Sequence, residues 1–251
     1  MGTQMTIWEN QYEKPNKPMN VLVACEESQR VCSAFRERGH NAYSCDIQSC
    51  SGGHPEWHIK GDVMKLIEPD IWLCSFEQDI EDEMLGTFET EDGRTHELPP
   101  KWDLIIAHPP CTYMSKAGAR FMYLTAGNVN QERLEKALQA KEFFMQFINA
   151  DCDKICIENP TPLKIVGLPK ESQVIQPYQF GHPYSKRTLL WLKGLPELKP
   201  TNILTEYTPY LPSNTGGFAR GKGGSRGVAH NAKDASKTFK GIADAMAEQW
   251  G

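Results

Sequence analysis

Residues 19–47 read MNVLVACEESQRVCSAFRERGHNAYSCDI, and the fold is decided in this stretch. Val21, Leu22 and Val23 form a short continuous apolar run, the pattern of a strand buried on both faces of a parallel sheet. A helix is expected next: Ser28 is the expected N-cap, Val31, Ala34 and Phe35 recur at helical spacing, and Gly39 supplies the stop. Residues 40–47 then read as a second strand ending at the acidic Asp46. Strand, helix and strand within about thirty residues is the size of a βαβ unit, which is almost always right-handed.

The same alternation continues outward from this start. Strands are expected at 102–107, 154–157, 174–180 and 188–192, and a closing helix at 242–250. Residues 131–149 predict a long helix with Leu134, Ala137, Leu138, Phe144, Phe147 and Ile148 on one face, capped by Asn128 or Asn130. Between them, residues 68–101 are acidic, carry the Asp92-Gly93 turn signal and end in Pro99 and Pro100, so they read as an exposed insertion. The expected organisation is one domain over 1–251: a core at 19–192 with its insertion, a basic Gly/Pro-rich region at 193–240, and a terminal helix at 241–251. The fold class is α/β, an open and mostly parallel sheet with helices on both faces, whose ligands sit outside the carboxyl ends of strands.

With 39% hydrophobic residues among 251, the chain can bury one sizeable core. No run approaches the roughly 18 apolar residues of a membrane span, and residues 1–18 lack a signal-peptide core, so a cytoplasmic location without membrane contact is expected. Met1-Gly2-Thr3-Gln4-Met5-Thr6 fits the short N-myristoylation pattern, but no polybasic segment follows, and it is read as chance. Eight irregularly spaced cysteines read as reduced thiols rather than a disulfide framework. Cys45, Cys50, His54 and His58 are zinc-binding residue types, yet the dozen or so residues that separate ligand pairs in zinc fingers are missing, so no metal is expected.

The net charge of −5 is unevenly distributed. Residues 68–97 hold eleven Asp and Glu against Arg94 alone, whereas residues 186–240 hold ten Lys and Arg against Glu197, Glu206 and Asp234. A basic carboxy-terminal third is the electrostatic footprint expected for contacts to DNA phosphates; a solvated charged face is the alternative.

Two short motifs carry chemistry. His108-Pro109-Pro110-Cys111 follows the apolar run Leu104-Ile105-Ile106-Ala107, which puts a thiol at a strand's carboxyl end on a loop stiffened by two prolines. A thiolate is a strong nucleophile, but a free cysteine is mostly protonated at neutral pH and needs help from its surroundings. Standing alone, Cys111 would read as a buried inert cysteine. It has a companion in Glu158-Asn159-Pro160, a carboxylate at the mouth of another apolar strand and so in the same crevice.

Together these motifs resemble those of the C5-cytosine DNA methyltransferases, and of that family's small phage and prophage members most. The resemblance implies a Rossmann-like S-adenosylmethionine-dependent methyltransferase fold, with Cys111 attacking C6 of an extruded cytosine and Glu158 binding N3 and the exocyclic amine. It also implies a cofactor site made of Cys25, Glu26, Glu27, Ser28, Asp46, Ile47, Asp62, Val63 and Pro109. Residues 24–28 stand where the family carries a glycine-rich loop, and the glycines are absent here. Asp46 stands where an acidic residue binds ribose hydroxyls, and Gly61-Asp62-Val63 where an aspartate meets the adenine amine. Residues 180–187 resemble the family's Gly-x-Pro-Gln-x-Arg-x-Arg motif, which makes Arg187 the candidate for the cytosine carbonyl and Lys186 the alternative. Only about fifty residues separate the last core strand from the final helix, too few for a full target-recognition domain.

Four other readings compete. Gly216-x4-Gly221-Lys222 is almost a phosphate-binding loop, but Gly223 replaces the Ser or Thr that would hold magnesium, and the segment with Arg220, Lys222 and Arg226 suits a flexible loop on a nucleic-acid backbone equally well. Amino-methyltransferases also use a Pro-Pro loop, with Asp, Asn or Ser before it and an aromatic after it, where this chain has His108 and Cys111. The remaining two are a DNA- or nucleotide-binding phage protein that kept the fold and lost the reaction, and the same chemistry on single-stranded DNA or a free cytosine nucleotide.

Overall fold

Val21, Leu22 and Val23 are wholly buried, as a two-faced apolar run requires, and they form the middle of strand β1 (Asn20–Ala24). The computed structural model describes residues 17–67, 86–125, 128–211, 229 and 232–251. Around β1 stand β2 (Asn41–Asp46), β3 (His58–Lys60), β4 (Leu104–Ala107), β5 (Ile155–Pro160), β6 (Gln173–Ile175) and β7 (Thr188–Lys193). Their order in the sheet is β6-β7-β5-β4-β1-β2-β3. The first five strands are mutually parallel, and β7 runs antiparallel between β5 and β6. Chain order therefore reverses between β1 and β4, the position at which doubly wound sheets open a ligand crevice.

Side-chain alternation sorts the core into two layers. Leu22, Ala24, Ile105, Ala107, Ile155 and Ile157 face the side of helix α2 (Gln131–Asn149), where Phe144 and Phe147 are wholly buried. Val21, Val23, Leu104, Ile106, Cys156 and Leu190 face the side of helices α1 (Arg30–Glu37) and α3 (Lys240–Trp250). The result is the expected α/β sheet covered on both faces. Asn130 caps α2 by accepting from the Arg133 N–H at 3.1 Å. On that helix Ala137, Phe144 and Phe147 are buried, but Leu138 is turned to solvent, so the apolar stripe is narrower than its sequence spacing predicts.

The structure departs from the sequence expectations in four places. Strand β3 was unexpected, and the strand expected over 174–180 stops at Ile175, after which Pro177–Gln179 turns as a 3-10 helix. Helix α1 is preceded not by a capping Ser28 but by Gln29 in the left-handed region, φ +56°, with no side-chain cap of its own. The described end of the acidic insertion is largely exposed and turns at Asp92-Gly93, but it is ordered as a hairpin with a buried anchor. Thr87–Glu89 and Thr95–Glu97 form a hairpin that buries Phe88 edge-on against Tyr43. The myristoylation pattern, Cys74, the near-phosphate loop and Arg220, Lys222 and Arg226 lie outside the described residues, as does the rest of 68–85 and 212–228. Among the described residues, no helix is long and apolar enough to cross a membrane.

Candidate active site

The β4–β5 ladder pairs Ile105 with Ile155 and Ala107 with Ile157, a constant offset of fifty residues. Carried two residues past the end of β4, that offset builds the site. His108 Nδ1 lies 3.0 Å from Glu158 Oε2, and the Asn159 side-chain amide donates to the Pro109 carbonyl at 2.8 Å. The His108 N–H donates to Ala24 O at 2.9 Å, so the same loop is tied to β1 on its other side. Beyond it, Cys111 O accepts from the Met114 and Ser115 N–H groups at 3.1 and 2.9 Å. Lys116 N–H to Thr161 O at 2.9 Å and Leu163 N–H to Met114 O at 2.7 Å staple this turn to the chain leaving β5. Cys111 is thus held half-buried at the reversal point of the sheet, on a loop fixed to both flanking strands.

Glu158 and Asn159 are both buried, and the Glu158 carboxylate is 10% exposed. Burial pushes that carboxyl up, but the His108 hydrogen bond and the charges of Lys186 and His108 outweigh it and hold Glu158 below the usual carboxylate range. Burial likewise pushes His108 down, and Glu158, with a smaller contribution from Glu26, brings it above the ordinary histidine value. The two shifts agree: the favoured state is imidazolium facing carboxylate. For Cys111, burial and then the Glu158 charge raise the thiol, while Lys186 and Ser115 act in the opposite sense. The resting sulfur is therefore a thiol.

Lys186 influences His108, Cys111 and Glu158 electrostatically, and its ammonium lies 5.9 Å from the centre of the Phe239 ring. Arg187 points elsewhere, with its guanidinium 3.6 Å from Glu171 and its side chain 53% exposed. Of these two cations the structure brings Lys186, and not Arg187, to the cluster. His108 is the residue the sequence reading left without a role. Its only signal is a position one step past the end of β4, where the ladder places it beside Glu158.

The loop after β1 is built differently. Cys25 adopts φ +58°, the left-handed conformation that a glycine would supply at that turn. Glu26 accepts from the N–H groups of Val31 and Cys32 at 2.7 and 3.1 Å, capping α1 in place of Ser28. Glu27 bonds the Ser51 hydroxyl, and its carbonyl accepts from Ser51 N–H at 2.7 Å. Buried Gln29 donates to Ser44 Oγ and His54 O at 3.3 and 2.8 Å and accepts from His54 N–H at 3.0 Å, clamping the loop that leaves β2. Ser28 is half-buried and lines a surface cavity of about 280 Å³ with Arg30, Ser33, Lys237 and Lys240; neither Cys111 nor Glu158 lines it.

Asp46 and Asp62, at and just past the ends of β2 and β3, both raise the Cys25 thiol electrostatically after the larger effect of burial, and the Gly61 N–H beside Asp62 donates to the Asp46 carbonyl at 3.0 Å. One oxygen of each carboxylate accepts a local N–H: Gln48 to Asp46 at 2.9 Å and Met64 to Asp62 at 3.0 Å. Ile47 beside them is 77% exposed, whereas Val63 and Pro109 are buried. Cys45, Cys50, His54 and His58 do not converge. Both ring nitrogens of His58 are hydrogen-bonded, to Ser44 and to Gln48 O, and no group of metal-ligating side chains occurs among the described residues.

No protein-family model matches the chain, and no curated protein matches it. Among solved structures the chain is similar to a methyltransferase of Entamoeba histolytica, at 14% identity and a TM-score of 0.34, over 75% of this chain and 58% of that one, so it spans less than two thirds of that neighbour's length.

Proposed function

We propose that this protein transfers a methyl group from S-adenosylmethionine to C5 of a cytosine in DNA. The observation that carries the reading is the register by which β4 and β5 bring a half-buried thiol and a buried carboxylate to one crevice at the reversal point. Cys111 would add to C6 of the base, and Glu158 would hold N3 and the exocyclic amine. Addition at C6 with a proton held at N3 places an electron pair on C5, which then attacks the methyl group. Removal of the C5 proton and departure of sulfur complete the exchange. Lys186 faces the same space and suits the cytosine carbonyl oxygen better than Arg187.

Asp46 and Asp62 fit the cofactor: each has an oxygen with no hydrogen bond to another described residue, both act on the Cys25 thiol, and exposed Ile47 offers an apolar surface next to Asp46. Asp46 would take the ribose hydroxyls and Asp62 the adenine amine. Bound there, the cofactor supplies the methyl group. The DNA backbone is assigned to the basic region 186–240.

A DNA- or nucleotide-binding protein without activity is the second reading. It is favoured by the loop after β1, where Glu26, Glu27 and Gln29 are already engaged within the protein. Nucleoside analysis of duplex and single-stranded DNA incubated with the protein and S-adenosylmethionine separates the two. The expected product is 5-methylcytosine, lost in Cys111→Ser while cofactor affinity stays within about twofold. A wild-type protein that binds DNA and yields no modified base would move the conclusion to the second reading.

A further inference from the structure

Resting on the cytosine reading above, we propose that His108 is a positioning residue acting through Glu158: it stores on Nδ1 the proton that Glu158 presents to N3 of the base. Four observations bear on it. The ring is held by its backbone N–H on Ala24 and by the 3.0 Å contact to Glu158. The contact is enclosed, with both side chains about nine-tenths buried, so water does not compete for the proton. His108 Nε2 is buried and has no hydrogen-bond partner among the described residues, which leaves Glu158 as the hydrogen-bonded anchor of the imidazolium charge. The charged groups that act on the ring from neighbouring elements are Glu158 on β5, Glu26 after β1 and Lys186 before β7. The oxygens of Glu26 are engaged by the N-terminus of α1, so Glu26 is not the second anchor.

The N3 proton is supplied and recovered within the cluster. Before addition there are a Cys111 thiolate, whose proton has left to water, an imidazolium at His108 and a carboxylate at Glu158. As sulfur bonds C6, the C5–C6 pair moves to C4–C5 and the N3–C4 pair moves to N3. N3 takes a proton from Glu158, which takes one from His108 Nδ1. The adduct and His108 end neutral, and Glu158 ends as it began. After methyl transfer the C5 proton passes to water and its bonding pair restores the C4–C5 double bond; sulfur then departs with its electron pair as thiolate, and the N3 proton returns along the same path. A charge whose hydrogen-bonded anchor among the described residues is Glu158 is readily surrendered when Glu158 engages the base.

The sign of the pH dependence follows. Activity requires a protonated His108, so kcat/KM falls as pH rises through the elevated His108 value, while the Cys111 thiol imposes the opposite, rising limb. His108→Asn keeps a short amide donor but no titrating group. It is expected to lower kcat about a hundredfold, to leave KM for DNA and cofactor affinity within about twofold, and to abolish the falling limb. His108→Gly supplemented with imidazoles of different basicity is expected to regain turnover, with the falling limb following the pKa of the added imidazole. Exchange of the cytosine C5 hydrogen with water, without cofactor, reads the addition step alone and is expected to fall in parallel. In the wild-type protein, the imidazole nitrogen NMR signal of His108 is expected to titrate above the ordinary histidine value, and at a lower pH in Glu158→Gln.

Methylation that persists in His108→Asn with an unchanged pH profile overturns the assignment and leaves the proposed function standing. So does a His108 titration that Glu158→Gln does not move, a result that needs neither His108 variant to fold. A wild-type protein that neither methylates cytosine nor exchanges its C5 hydrogen overturns both.

Discussion

Two loops leave the sheet on either side of its reversal point, and they differ in where their polar groups go. After β1, Glu26 caps α1, Glu27 holds Ser51 and Gln29 clamps His54, so the loop is a knot of internal bonds around a left-handed Cys25. After β4, the backbone is the part tied down, by Asn159, Ala24 and Thr161, while Cys111 stays half-buried and His108 Nε2 has no partner among the described residues. Bonding the side chains makes scaffold; bonding the main chain leaves side chains for chemistry. On the proposed function, the first loop would support a cofactor surface with Asp46, Asp62 and Ile47 making the contacts, and the second would carry the reaction.

That contrast can be broken by substitutions on each side. The largest effect belongs to the second loop's surroundings: Lys186→Ala is expected to lower kcat on the order of a hundredfold, as loss of a preorganised charge does. Arg187→Ala is expected to stay within about twofold because its ion pair with Glu171 is exposed. Steady-state kinetics that rank these the other way would reassign the role to Arg187.

In the first loop, Gln29→Ala removes three hydrogen bonds, one buried and two partly buried, and leaves the His54 N–H without its acceptor. A loss of about 2–4 kcal/mol is expected in urea unfolding, with kcat little changed in the folded fraction. Gln29→Gly is expected to lose about 0.5–1 kcal/mol less, since glycine accepts the +56° backbone without strain. Equal losses would show that the backbone conformation costs nothing there.

Asp46→Asn is expected to weaken S-adenosylmethionine binding about tenfold by calorimetry, near 1.4 kcal/mol, without moving the unfolding midpoint. Weakening of the same size from Glu27→Gln instead would place the ligand on the internal knot and erase the contrast.

The smallest effect is a slope. Burial raises the Glu26 carboxyl above its ordinary value, against the opposing pull of His108 and the two N–H groups. Folding thus favours its protonated form, and stability is lost as pH rises from the ordinary carboxylate value through the folded one. Glu26→Gln is expected to flatten the unfolding free energy in that window, at a cost of about 1 kcal/mol or less at its acid end. A slope unchanged by the substitution would assign the titration to another group.

How much of this was legible in the chain depends on how local the signal is. Strand β1, the Gly39 stop of α1 and the span of α2 could be read because burial and periodicity show within a dozen residues. Strand β3 has three residues and no room to show a period. Ser28 has the chemistry of a cap, yet Glu26 takes the N–H groups of Val31 and Cys32 from five and six residues away, an interaction that no neighbouring-residue pattern encodes. Lys186 and Arg187 are adjacent cations pointing different ways, and their phase is set where β7 begins. The Cys111 and Glu158 motifs stood out by residue type, but the role of His108 exists only across the ladder, fifty residues away.

That ladder makes assembly of the crevice a digital event. Because successive side chains on a strand point to opposite faces, a one-residue slip between β4 and β5 would not loosen the His108–Glu158 contact by degrees; it would send Glu158 into the apolar layer beneath α2. No graded series of half-built sites lies between the working register and none. Length variation among proteins built on this plan should therefore collect in the connection between Cys111 and α2, and be excluded from 104–109 and 155–160.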